Sequence, residues 1–399
     1  MANDTHADND NTEFTGDVFN AYDNSSPHAG PIPGPLVDTP SDDTSLHYNL
    51  SQMTTKAQRN LIEQTGVMAF HSIGDTGNDH AHRHNGNPFD RQDVADIMVQ
   101  QCVKGAGKAE TPCFCYHVGD IIYPESSVDR YENEFYQPYS TYSNAIVAVP
   151  GNHDYSSFES HQYNDPLYSY KLNFVAKTME NDPNKKHRPR MNLPGTYWVL
   201  DTPLATIIGL AVVSNGAITT EQSHWFENEM KQADANKALI IAVHYPPYCF
   251  DGSDNWHIRN VINNGILIAG RKPDLVLCGH SHNYQRIKAP VTSTVTPPPK
   301  ANKSYATDSY TLLVNGAGGV SSNKVRYTGI GPNGKRMDRH GHGAELLSWN
   351  GTDFGALVVI VDSNTREIKC EYHTVKPRNA EIEDFAPHDI LDDTVSIPY

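Results

Sequence analysis

No apolar run in this 399-residue chain approaches the roughly 20 residues a membrane helix needs, so no membrane partner is expected. Positive charge is scarce as well: 31 Lys and Arg stand against 47 Asp and Glu, a net charge of −16. That balance argues against nucleic acid as a stable partner, because a phosphate backbone is met by Lys and Arg. An acidic protein can still handle phosphate if metal ions supply local positive charge. Cysteine is sparse too: Cys102, Cys113, Cys115, Cys249, Cys278 and Cys370 are too few for a disulfide scaffold. Cys113 and Cys115 would point the same way from one strand, poorly placed to bond each other. Most of the six read as small buried hydrophobes. The start lacks a basic stretch followed by an apolar run, the mark of a signal peptide. The chain is therefore expected to be cytoplasmic, or a processed form of a secreted or periplasmic protein.

What is present suits a soluble globular protein with long loops: 38% hydrophobic and 20% charged residues. The first fifty residues hold nine acidic residues, several prolines and no Lys or Arg. Residues 1–60 thus read as an acidic, Pro-rich arm without a domain of its own. Residues 61–375 read as one catalytic domain, with no internal repeat, and 376–399 as an acidic tail. The basic run Lys185-Lys186-His187-Arg188-Pro189-Arg190 lies in an irregular insert, 156–196, and reads as a solvated surface loop. Two further variable loops span 291–309 and 321–345.

Inside the domain, short apolar runs read as buried strands, and several end in a polar cluster. Val67 to Ile73 leads into Gly74-Asp75-Thr76-Gly77. Phe114 to Val118 leads into Gly119-Asp120-Ile121-Ile122-Tyr123. Ala145 to Val149 leads into Pro150-Gly151-Asn152-His153-Asp154. Ala238 to Val243 runs into His244, and Leu275 to Cys278 into Gly279-His280-Ser281-His282. Helices are expected over 91–103 and 220–232, and an antiparallel closing pair over 354–361 and 367–375. Polar groups at the same ends of successive strands line the crevice where open α/β sheets place ligands. Singly, each has an ordinary reading: a turn carboxylate, a left-handed Asn, a hydrogen-bonded His. Together they are better explained by a metal site. Asp120 has two oxygens and can bridge two ions. Phenolate and carboxylate favour a trivalent ion, while imidazole and amide suit a divalent one.

The blocks Asp-x-Gly, Gly-Asp-x-x-Tyr, Gly-Asn-His-Asp, x-x-x-His and Gly-His-x-His resemble those of the purple acid phosphatases within the calcineurin-like metallophosphoesterases. The resemblance spans roughly residues 66–375 and includes Tyr284-x-Arg286 and Gly316-x-Gly318-Gly319. Most relatives in the wider superfamily have Asp-x-His in the first block; Gly77 with Tyr123 points to the purple acid branch. Ile241 replaces a usual Val, a harmless change. Residues 1–60 are too short and polar for the N-terminal β-sandwich of plant-like members.

The resemblance implies an α/β (α+β) fold, a four-layer αββα sandwich of two mixed sheets. It implies that Asp75, Tyr123 and His282 bind Fe3+ with Asp120 bridging. Asn152, His244 and His280 would bind a divalent ion: Fe2+, Zn2+ or Mn2+. His153 would be a catalytic group meeting the phosphate or the leaving oxygen, with Asn152 and Tyr284 also contacting substrate. The family places further site histidines soon after the fourth block; the nearest here is His257, the second catalytic candidate. The expected activity is acidic hydrolysis of phosphate monoesters on a small phosphorylated substrate, by attack of a metal-bound hydroxide. A phosphodiesterase acting on nucleotide or lipid head-group esters with the same metals is the alternative. A non-catalytic metal-binding module is the alternative of another class. Oligomeric state and physiological substrate stay open.

Overall fold

A computed structural model describes residues 46–77, 90–175, 191–212, 216–292, 308–320, 325, 336–337, 343–375 and 389–399. The basic run 185–190, most of the two variable loops and residues 1–45 lie outside the described residues.

In chain order the strands are β1 (His47–Asn49), β2 (Val67–Ile73), β3 (Pro112–His117), β4 (Ala145–Ala148), β5 (Trp198–Asp201), β6 (Ala205–Leu210), β7 (Ala238–Val243) and β8 (Leu275–Cys278). There follow β9 (Tyr284–Pro290), β10 (Ser309–Asn315), β11 (Arg336–Met337), β12 (Glu345–Asn350), β13 (Gly355–Asp362), β14 (Glu367–Val375) and β15 (Asp389–Pro398). The helices are α1 (Lys56–Thr65), α2 (Asp90–Gly105), α3 (Ser157–Tyr163), α4 (Tyr168–Phe174), α5 (Thr220–Gln232) and α6 (Trp256–Ala269). Their starts follow from local chemistry. Thr55 accepts from the Gln58 N–H and the Gln58 side chain returns to the Thr55 N–H, closing a capping box on α1. Asn255 caps two N–H groups of α6.

The strands form two mixed sheets. One has the order β1-β5-β6-β7-β8-β10-β9-β12-β11, the other β15-β14-β13-β2-β3-β4. Within the six-stranded sheet β2, β3 and β4 are parallel neighbours; within the nine-stranded sheet β6, β7, β8 and β10 are. The inner faces share one apolar core, where Tyr116 of β3 stacks on Trp198 of β5 with ring centroids 5.5 Å apart. A second core lies between the nine-stranded sheet and Phe226, Met230, Ile258, Ile262 and Ile266 of α5 and α6. With α2 packed on the six-stranded sheet, the layers read helix, sheet, sheet, helix, the αββα sandwich expected. All six cysteines are free, and five are buried. Among the described residues no helix is long and apolar enough to cross a membrane.

Two boundaries are corrected. Residues 46–60 are not all arm: β1 pairs with β5 in parallel. Residues 389–398 are not tail: β15 pairs antiparallel with β14 from Asp389↔Val375 to Pro398↔Glu367. Asp392 and Asp393 break the apolar alternation there, which hid the strand. A register shift opposite Tyr372 and His373 takes up the irregularity.

Candidate metal centre

The parallel strands of both sheets deliver their C-terminal loops to one place. Asp75, Asp120 and His280 each leave their strand with a positive φ, 58°, 57° and 66°. They are three of the five non-glycine residues in that region among those described. Such a conformation costs on the order of 1–3 kcal/mol and persists only where the surroundings impose it. Here the loops impose it on each other. The Asp75 N–H donates to the Gly119 carbonyl (3.0 Å) and the Thr76 N–H to the Asp120 carbonyl (3.1 Å). The His280 N–H donates to Asp75 Oδ2 at 2.9 Å. A Cβ at Gly151 would overlap the backbone N and carboxylate of Asp120, so only glycine lets these two loops touch.

Two donor groups result. Tyr123 Oη lies 3.2 Å from Asp75 Oδ1, 2.8 Å from Asp120 Oδ2 and 3.2 Å from His282 Nε2. His282 Nε2 is 3.4 Å from Asp75 Oδ1. On the other side His244 Nε2 lies 3.2 Å from Asp120 Oδ2 and 3.1 Å from Asn152 Oδ1. His280 joins Asp120 and His244 with ligand atoms within 4.8 Å of one another, as Asp75, Asp120 and His282 do. Bonds of about 2.1 Å at octahedral or tetrahedral angles separate ligand atoms by about 3.0–3.4 Å. These groups therefore fit two cations, with Asp120 common to both. The Tyr123 ring packs against Gly77, where a Cβ would stand 2.6 Å from its Cδ2. A residue with a side chain at 77 and this phenol exclude each other.

Hydrogen bonds fix which ring nitrogens are offered. A carbonyl only accepts, so His244 Nδ1, 2.9 Å from the Val118 carbonyl, carries a hydrogen and Nε2 faces the pocket. Burial works against its charge, but the Asp120 carboxylate outweighs that and raises it to about 9. For Asp120 burial likewise opposes ionisation, and His244 and His153 hold the group well below the usual carboxylate range. A cation entering between them must displace the shared proton, so binding is linked to pH. Burial, then the Asp120 and Asp75 carboxylates, pushes the Tyr123 phenol well above its ordinary value. Only a strong cation would ionise it there. Burial also leaves the His280 imidazole neutral, the form a metal takes.

His153 is partly exposed. Its backbone N–H donates to Asp120 Oδ1 at 2.8 Å, and its ring lies against Tyr123 with centroids 4.2 Å apart. Its Nδ1, 2.5 Å from the Pro124 carbonyl, must donate, which leaves Nε2 as the working atom. His257 is not brought into the group: it sits in the first turn of α6 with its ring against Trp256 (3.6 Å). Among the described residues its ring bonds none of the seven donors. Tyr284 is a correction. It is 1% exposed, its hydroxyl donates to Asp393 Oδ2 at 2.8 Å, and its ring stacks on Tyr372 at 4.0 Å. That hydroxyl is committed to β15 rather than offered to a substrate.

Three residues here carry structural work the sequence reading did not assign. Asp154 accepts from the N–H groups of Asp120 (2.9 Å), Ile121 (3.0 Å) and Gly151 (2.8 Å); its place in Gly-Asn-His-Asp was the available signal. His117 accepts from the Gly119 N–H at Nδ1 (3.2 Å) and donates to Thr76 Oγ1 from Nε2 (2.8 Å). Burial lowers it to about 3, so it is a neutral brace. Asp251 accepts from the Ser281 hydroxyl between the two His of Gly-His-x-His, a contact 30 residues apart with no local signature.

Residues 68–284, more than half of the chain, match the model of the calcineurin-like phosphoesterase family. Among solved structures, the chain is similar to the purple acid phosphatase PPD1 isolated from yellow lupin (Lupinus luteus) seeds. The TM-score is 0.53 at 16% identity, covering 84% of this chain and 54% of that one. It is similar to PhoD with a TM-score of 0.53 at 14% identity, covering 83% of this chain and 69% of that one. The chain thus spans about half the length of the lupin protein. At these identities the likeness concerns the fold.

Proposed function

The chain belongs to the calcineurin-like phosphoesterase family, and from that membership we propose that it hydrolyses phosphate monoesters in acidic solution at a dimetal centre. The observation that carries this reading is the pair of donor groups sharing Asp120, one of them containing the Tyr123 phenol. Asp75, Tyr123 and His282 would hold Fe3+ with Asp120 bridging. Asn152, His244 and His280 would hold Fe2+, Zn2+ or Mn2+. Hard anionic donors suit the higher charge, and an amide with two imidazoles suits the lower. Two such cations, when bound, neutralise phosphoryl oxygens and acidify a water for attack.

The protein's own groups do the rest. His153, with Nδ1 donating to Pro124, can give a proton to phosphate or leaving oxygen only from Nε2 of the doubly protonated ring. The Asn152 amide places its oxygen 3.1 Å from His244 Nε2 and keeps its NH2 as a donor for a substrate oxygen. The charged partner is a small phosphorylated molecule; the net charge of −16 disfavours nucleic acid.

The test is a side-by-side assay of a monoester and a diester across acidic to alkaline pH, with metal analysis and an absorption spectrum. The expected result is monoester turnover best in acid, with one iron and a purple or pink colour that Tyr123→Phe removes. A colourless protein with two zinc ions and full activity would overturn the ferric assignment. Turnover of the diester alone would overturn the monoester reading.

A further inference from the structure

The Tyr123 phenol is held from its own backbone by two residues outside the donor set. The Tyr123 N–H donates to Glu134 Oε2 at 2.9 Å. The Tyr123 carbonyl accepts from Arg130 Nη1 at 2.5 Å. The same guanidinium nitrogen donates to Glu134 Oε1 at 3.1 Å. One carboxylate and one guanidinium thus close a ring around both peptide groups of a single residue. Glu134 sits in a π-helical turn, Glu132–Tyr136, and its side chain is 7% exposed while that of Arg130 is 38% exposed.

Burying a carboxylate is costly unless it is paired and hydrogen-bonded. A neutral acceptor would satisfy one N–H at less cost. What the charged pair adds is direction. Charge-assisted bonds are shorter and stronger than neutral ones, and here they act on both flanks of the Tyr123 Cα. The ring is confined as well, by Gly77 on one side (2.6 Å to a Cβ there) and His153 at 4.2 Å. With both backbone and ring fixed, Oη reaches Asp75, Asp120 and His282 together.

We infer that Glu134, paired with Arg130, is a positioning residue that sets the Tyr123 phenol as a metal ligand. The inference rests on the metal reading of the centre. Outer partners of metal ligands typically govern about 10–100-fold in metal affinity. Glu134→Ala leaves the Tyr123 N–H and Arg130 without this partner. Glu134→Gln keeps an oxygen acceptor for the N–H.

The experiment is a double-mutant cycle of Glu134→Ala with Tyr123→Phe, read as affinity for Fe3+ and for Zn2+ and as the iron absorption band. The expected result is about a tenfold or greater loss of affinity and a shifted or weakened band in Glu134→Ala. Glu134→Gln should lie closer to the parent protein. In the Tyr123→Phe background Glu134→Ala should have no further effect, because Glu134 acts through the phenol. Equal losses in both backgrounds, or affinities and band within twofold of the parent, would overturn the inference. If Glu134→Ala does not fold, Arg130→Met at the more exposed partner takes its place with the same expected non-additivity. A parent protein without an iron band sinks the ferric assignment alone, since the zinc cycle still reads the Glu134 effect.

Discussion

The two sheets make unlike contributions to the centre. The loops after β2, β3 and β4 of the six-stranded sheet supply Asp75, Asp120, Tyr123 and Asn152, all oxygen donors. The loops after β7 and β8 of the nine-stranded sheet supply His244, His280 and His282, all imidazoles. Neither sheet completes a donor group alone. Each group takes oxygens from one sheet and nitrogen from the other, so at this end of the sandwich the sheets meet through polar donor side chains, where the interior is closed by apolar packing such as Tyr116 on Trp198. A cation held here would also be a fastener between sheets.

The sharpest way to break that division is at Asp120, the one donor common to both groups. Asp120→Asn removes a charge from both at once and should abolish measurable turnover, a loss beyond ~10⁴-fold, the upper reach of a lost general acid. Metal analysis showing two tightly held ions in this variant would refute the bridging role.

His153 belongs to the oxygen-bearing side by sequence but is cast as a catalyst rather than a ligand. His153→Ala should lose ~10²–10⁴-fold in turnover while keeping both ions and the colour. The loss should shrink for substrates with acidic leaving groups such as nitrophenol. A lost ion, or equal slowing of all substrates, would count against the leaving-group role.

If the ions fasten the sheets, chelation should lower stability, not only activity. A ligand at a hundred times its Kd contributes about 2.7 kcal/mol, so each ion removed should give a clear fall in Tm. Restoring Zn2+ should reverse it. An unchanged Tm would mean that the sheets close without help from the centre.

The smallest effect is expected away from the centre, at the Tyr284–Asp393 contact. Tyr284→Phe removes one hydroxyl and should cost about 1 kcal/mol of stability with KM unaltered. A raised KM at unchanged Tm would restore Tyr284 to the substrate site.

Much of the frame was legible because it is written locally. Ala238–Val243 is apolar throughout and Val67–Ile73 is so apart from the buried His71 and Ser72, as suits strands covered on both faces, and just beyond them stand His244 and Asp75, which the structure places in the centre. Strands whose burial depends on distant partners were not legible. β9 carries Arg286 and Lys288, and β15 carries Asp392 and Asp393. Arg286 pairs with Asp393 in a two-point contact across 107 residues. No window of sequence contains both halves of such a bond.

The sequence by itself determined the chemistry on offer: which carboxylates, imidazoles, amide and phenol stand at strand ends, since side-chain identity and strand-ending turns are local properties. Only the tertiary structure decided which of them meet. His117, His153 and His244 all follow or end apolar strands, yet one braces Thr76, one leans on Tyr123 and one faces Asp120. Tyr123 and Tyr284 both follow a block of site residues, yet one phenol lies among the donors and the other is bound to Asp393. The reason is distance: a donor's type is fixed by its own atoms, but a 3 Å approach between donors is fixed by how two sheets pack.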